Sequence, residues 1–199
     1  KSVNNIMIAL YAFVVISFFI TIVDIIIRFP LQSEMIDYND IQAIVINVLA
    51  LLIQIFFFAY GFVNAIRGML SPKRMGAVIV AFFAATCITG TGNMVINSNV
   101  QIVLWWIVLI IPNIVGAVAT FAYFVSGKKS KIYSIIIYLA AIWGMFRIIY
   151  SNYNLIVHAN QYLSMNSTVR LVLGIAIHCL VIYQTYVLWI KRQNAIDIS

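Results

Sequence analysis

Charged residues are scarce in this sequence. Lys, Arg, Asp and Glu together make up 9% of the 199 residues, and only five residues are acidic. Soluble domains average about 25% charged residues, so the composition excludes an ordinary globular domain. The shortage of carboxylates also argues against acid–base catalysis, because no predicted span contains an acidic pair.

Cysteine and histidine are equally rare, with two of each. Cys87 and Cys179 fall inside predicted helices without CxxC or Cys/His spacing, so neither a disulfide framework nor a zinc site is predicted. His178 adjoins Cys179, but neighbouring helical side chains diverge by about 100° and cannot readily act on one substrate. The sequence also lacks HExxH and GxSxG motifs. We therefore expect no metal, no cofactor and no enzymatic activity.

Apolar residues are abundant: they make up 64% of the sequence, and the mean hydropathy is +1.06. A membrane-spanning helix needs about 20 apolar residues. The run from Ile6 to Ile27 is too long for the apolar part of a signal peptide, so we expect an uncleaved first span. The sequence predicts an all-α, polytopic integral membrane helix bundle, a single transmembrane domain over 1–199. Its six transmembrane helices are expected to form three hairpins, with spans near 6–27, 43–66, 75–96, 102–125, 132–150 and 168–190.

The joints between the spans alternate in charge. Arg67–Arg74 and Ser126–Lys131 are basic, whereas Arg28–Gln42 carries three acidic residues. Basic joints stay on the cytoplasmic side, so we expect both chain ends inside and a location in the cell membrane, plasma or inner. The net charge of +7 comes from residues at helix ends without a basic stripe, so no nucleic-acid partner is predicted.

Polar residues inside the third span form a stripe at helical spacing: Thr86, Gly90, Asn93 and Asn97. We expect this stripe to face the bundle interior. The two glycines of Thr89–Asn93 each cost about 1 kcal/mol against alanine in a helix, which predicts a local break lining a cavity. The alternative is close helix packing through the small residues Ala77, Ala81, Ala85 and Thr89.

The fourth span contains Pro112, with Asn113, Gly116 and Thr120 on one face. Proline removes one hydrogen bond of the helix, which predicts a kink, and Asn113 can satisfy backbone groups or a ligand.

Tyr60, Tyr123 and Tyr186 lie near the basic ends of the second, fourth and sixth spans at equal separations. This spacing hints at a threefold repeat. The alternative is that equal hairpin lengths and the interfacial preference of tyrosine produce the spacing.

The outer leaflet is predicted to hold Asp24, Arg147 and Arg170 at similar depth. They can form one electrostatic cluster, with Asn93 and Asn97 completing the wall of an outward-facing anion site, or each can snorkel independently to lipid headgroups. His178 points the same way but lies deeper. The predicted ligand-binding residues are Asn93, Asn97, Asn113, Arg147, Arg170 and Asp24.

Three functions are compatible with these features. The first is a transporter or transporter subunit that holds a solute or lipid-like ligand in a polar groove opening outward between the third to sixth spans. The second is the transmembrane sensor region of a signalling protein, such as a peptide- or autoinducer-sensing kinase. The third is an immunity or scaffold membrane protein. The expected partners are the lipid bilayer, a small-molecule, lipid or peptide ligand, and a membrane-protein partner subunit.

Overall fold

The computed structural model describes the backbone of residues 2–32, 38–96, 100–128, 130–151 and 165–196. Within these ranges, side chains are described except at positions 2–4, 24–32, 38–40, 43–44, 93–96, 100–102, 105–106, 151, 165–167, 169–170 and 193–196.

Six long helices make up the described structure, which contains no strand. They are α1 (Ser2–Gln32), α2 (Tyr38–Ile66), α3 (Pro72–Ile96), α4 (Val100–Thr120), α5 (Lys131–Ser151) and α6 (Met165–Ile196), and a π-helical turn at Phe121–Val125 extends α4. Each predicted span lies within one of these helices, counting the π-helical turn with α4. All six helices are long and apolar enough to cross a membrane. The all-α class and the six spans are therefore confirmed, which indicates a multi-pass membrane protein.

The helices form a closed ring. Each one packs on its neighbours in sequence, α6 also packs on α1, and α3 approaches α6 across the middle. The two central helices have 50% of their spans buried, against 17% for α2. Arg192 near the end of α6 contacts Lys128 in the joint before α5, so these two segments lie at one end of the bundle. We call it the basic end, and the opposite end the far end.

Glycines in the helices admit large neighbours into the core. A Cβ at Gly61 of α2 would overlap the ring of Tyr11, and one at Gly116 of α4 would lie 2.9 Å from both Phe83 and Ala140. Helices in lipid are not driven together by the hydrophobic effect, so their association depends on van der Waals contacts, and glycines increase these contacts by allowing close approach.

The break predicted at Thr89–Asn93 is wrong, because α3 continues without interruption to Ile96. A Cβ at Gly92 would lie 2.6 Å from a methyl group of Ile46 on α2. Close contact with α2, rather than a break in the helix, therefore explains why a glycine occupies this position despite its low helix propensity.

The joint between α2 and α3 is tightly ordered. Gly68 adopts a left-handed φ of 66°, and the Met69 N–H donates to the Asn64 carbonyl at 2.8 Å, which is a Schellman ending for α2. Ser71 then accepts a bond from the Arg74 N–H at 3.3 Å, capping the start of α3 at Pro72. This short connection holds the two helices side by side.

Candidate functional site

A buried histidine joins α5 and α6 near the middle of the bundle. His178 is 3% exposed, and its Nδ1–H donates to the Gly174 carbonyl at 2.6 Å. Its ring meets Phe82 of α3 edge to face, with the centroids 5.0 Å apart. Nε2 is directed at Gly144 of α5, where an added Cβ would overlap it. The imidazole is therefore held by three helices.

Two glycines bring α5 and α6 together around this histidine. Gly144 on α5 leaves room for His178, and Gly174 on α6 leaves room for Ile148, whose Cδ1 would lie 2.7 Å from an added Cβ. Because each helix contributes one glycine, the two backbones approach closely along one line, which we call the α5–α6 seam.

Arg147 adds a charge to the α5–α6 seam. It follows Gly144 by three residues, which places it about 4.5 Å closer to the far end. The residue is half-buried.

Trp143 lies one turn from Arg147 on the same face of α5. Its Nε1 is buried, and no described residue accepts a hydrogen bond from it. The indole packs on Phe146 with centroids 6.0 Å apart, and Phe146 stacks on Tyr150 at 6.2 Å. This face of α5 therefore presents two hydrogen-bond donors beside a row of aromatic rings.

The polar residues of α4 bond to their own helix. Asn113 is buried, and its Nδ2 donates to the Leu109 carbonyl at 2.6 Å. Thr120 Oγ1 donates to the Gly116 carbonyl at 2.7 Å. The predicted face of α4 thus lies in the bundle interior, but this donor of Asn113 serves the backbone. Pro112 lies inside a continuous helix, and the kink stays a prediction.

The predicted outer cluster falls largely outside the described residues. Asn97 is not described, and the same holds for the side chains of Asn93, Asp24 and Arg170. Of the six predicted site residues, the structure describes the side chains of Asn113 and Arg147 alone. The cluster therefore stays a prediction.

The helix order bears on which arginine Asp24 can reach. In the ring, α6 lies between α1 and α5. Tyr11 of α1 contacts Gln184 of α6, and position 24 lies about 20 Å along α1 from this contact, while position 170 lies about 21 Å along α6. On the backbone, position 24 therefore lies on a helix that packs on α6, at about the depth of position 170.

Sequence reasoning missed the polar contact that closes the ring. Gln184 Nε2 donates to the hydroxyl of Tyr11, and both residues are fully buried. Gln184 Oε1 is also buried and has no partner among the described residues. In the sequence, Tyr11 is only a tyrosine within an apolar run, and this feature does not predict which residue its hydroxyl contacts.

A second missed contact lies at the basic end. Arg192 Nη2 donates to the Tyr123 carbonyl at 2.6 Å, Nη1 donates to the Lys128 carbonyl at 3.0 Å, and the guanidinium lies 4.1 Å from the Tyr123 ring centroid. The guanidinium therefore binds one carbonyl that the end of α4 leaves open and one carbonyl in the following joint.

The tyrosines at equal spacing occupy different environments. Tyr123 is 1% exposed, whereas Tyr60 and Tyr186 are 39% and 47% exposed. Their spacing therefore does not reflect equal roles.

Comparison with protein families, with curated proteins and with solved structures finds no match for this chain.

Proposed function

We propose that this protein holds a solute or lipid-like ligand in a polar groove that opens outward between α3, α4, α5 and α6, and that it acts as a transporter or transporter subunit. The proposal includes the three-hairpin arrangement and the orientation with both chain ends inside. The observation that carries it is the α5–α6 seam, where Arg147 and His178 lie within membrane-spanning helices.

Placing an ionisable side chain inside a membrane-spanning helix costs free energy. A charge at the bilayer centre costs about 2.5–3.5 kcal/mol on insertion scales, and less near the interface. Such residues face the bundle interior or a water-filled cavity and mark pathways for substrates or ions. The buried indole N–H of Trp143 on the same face adds a second donor that has no described acceptor. The groove therefore suits a ligand that carries hydrogen-bond acceptors and negative charge.

The charge distribution supports the outward direction of the groove. Arg67, Lys73, Lys131 and Lys191 are all exposed near the basic end, which the positive-inside rule assigns to the cytoplasm. Arg147 lies on the other side of His178, closer to the far end, so the groove would be entered from outside.

Cysteine accessibility tests the groove without knowledge of its ligand. In a background with Cys87→Ala and Cys179→Ala, Arg147→Cys should react with a membrane-impermeant thiosulfonate added outside intact cells. Ile149→Cys is the control, because Ile149 lies closer to the far end but is an exposed apolar residue that would face lipid. We expect the control to stay unlabelled, and equal labelling of the two positions would contradict an aqueous groove.

A cysteine at a second position tests the groove without removing the charge of Arg147. Asn113→Cys on α4 should also react from outside, more slowly than Arg147→Cys because Asn113 is buried. Labelling of the same position in inside-out vesicles would support transport, since a transporter exposes its site to both sides in turn. Labelling from outside alone would favour a sensor.

A further inference from the structure

Two side chains on the groove side of α5 can only donate hydrogen bonds. Arg147 supplies a guanidinium, and Trp143 supplies an indole N–H that is buried without a described acceptor. An indole can only donate, and a guanidinium has no acceptor atom. A ligand that satisfies both must therefore present oxygen acceptors, and the positive charge of Arg147 favours an anion. Phosphate and carboxylate groups fit the planar fork of arginine.

The donor face of α5 adjoins a face that is open to the bilayer. Its exposed side chains recur at helical spacing and form a stripe that runs toward the basic end: Phe146 at 58%, Ile142 at 55%, Leu139 at 61% and Ile135 at 53%. The stripe extends about 16 Å along the helix, close to the thickness of about 15 Å for the hydrocarbon of one leaflet. An acyl or isoprenoid chain can therefore lie along it while its headgroup reaches Arg147.

From this juxtaposition we infer that the ligand of the groove is an anionic lipid of the bilayer. Its phosphate or carboxylate headgroup is bound by Arg147 and the N–H of Trp143, and its chain lies along the stripe from Phe146 to Ile135. The inference names the ligand class for the groove and so rests on the proposed function. It differs from independent snorkelling of Arg147, which would contact any phosphate and would not involve Trp143.

Native mass spectrometry of the purified protein in detergent tests this inference. The probes are phosphatidylglycerol and phosphatidylcholine with identical acyl chains, and glycerol phosphate as a soluble anion. We expect phosphatidylglycerol to bind more tightly than phosphatidylcholine, and glycerol phosphate to compete poorly because it lacks the chain.

Two variants address the two donors separately. Arg147→Gln should weaken phosphatidylglycerol binding about tenfold or more, and Trp143→Phe, which keeps an aromatic ring but removes the N–H, about two- to tenfold. Arg67→Gln is the matched control, because Arg67 is exposed in the joint at the basic end, and it should leave the preference unchanged. If Arg147→Gln does not fold, Arg147→Lys should fold and keep a weaker preference.

Equal binding of the two lipids would overturn the inference, and so would a preference that survives both Arg147→Gln and Trp143→Phe. Glycerol phosphate binding as tightly as phosphatidylglycerol would assign the site to a free solute instead of a lipid.

The proposed function is tested separately. If Arg147→Cys cannot be labelled from outside although phosphatidylglycerol binds, the lipid site stands without an aqueous groove. If labelling succeeds but no lipid is preferred, the groove stands with another ligand.

Discussion

The hydrogen bond between Tyr11 and Gln184 offers a sharp test of the helix ring, because it joins α1 to α6 across a separation of 173 residues. Both side chains are fully buried, but Gln184 Oε1 has no partner among the described residues. The hydrogen-bonding capacity of the Gln184 amide is therefore only partly satisfied. As a result, the two single substitutions should have unequal effects.

Tyr11→Phe removes the phenolic oxygen and leaves the Gln184 amide without its one described partner. An unsatisfied buried polar group costs about 1–3 kcal/mol, whereas hydrogen bonds between membrane helices average about 0.6 kcal/mol and reach about 1.7 kcal/mol. We expect Tyr11→Phe to lower the free energy of unfolding by about 1.5–2 kcal/mol. Gln184→Met removes the unpartnered oxygen and leaves only the Tyr11 hydroxyl unpaired, so its cost should be about 1 kcal/mol or less.

The double variant replaces the pair with apolar groups of similar shape and should recover much of the lost stability. The coupling energy is expected to be about 1 kcal/mol. Equilibrium unfolding in mixed micelles with increasing SDS measures these free energies. Tyr186→Phe is the matched control, because Tyr186 is 47% exposed, and it should have no effect. Strict additivity of the two single substitutions, or an equal loss from Tyr11→Phe and Tyr186→Phe, would refute the contact between α1 and α6.

Two further predictions concern the α5–α6 seam and the outer charges. Gly144→Ala should lower the free energy of unfolding by up to about 1–3 kcal/mol, which is more than the loss expected for Gly174→Ala. The new methyl group at position 144 would overlap the His178 ring, which a hydrogen bond holds in place. The new methyl group at position 174 would meet Ile148, whose side chain is flexible. Denaturation by SDS should show this order, and the reverse order would mean that the imidazole is not fixed. In a double-mutant cycle, Asp24→Asn and Arg170→Gln together should cost less than the sum of their single effects. Additive effects would instead support independent snorkelling.

The six spans could be predicted from the sequence because a helix in lipid must satisfy its own backbone and cross about 30 Å of hydrocarbon. Both requirements are local, so apolar runs and their polar ends are sufficient to find the helices. Asn113, Gly116 and Thr120 were predicted to share one face of α4 for the same reason, since helical spacing alone places them together.

Contacts between distant helices could not be predicted in this way. Gly92 appeared too costly for a continuous helix, because helix propensity does not register the side chain of Ile46 packing against it from α2. In the sequence, Arg192 is one of the basic residues at helix ends that contribute to the net charge, but in the structure it also binds one carbonyl at the end of α4 and one in the following joint. Each of these roles depends on a neighbour that the local pattern does not contain.

Closure of the ring by α6 has a consequence for how the protein is made. This helix is synthesised after the other five, although it packs on α1, α3 and α5. At about 5–20 residues per second, roughly 9–35 s separate the synthesis of Tyr11 from that of Gln184. During this time the hydroxyl of Tyr11 must face lipid, water or the insertion machinery. The five-helix intermediate therefore exposes the largely apolar surface that α6 later covers, together with the Tyr11 hydroxyl, and we expect quality-control proteases to recognise the nascent protein most readily at this stage.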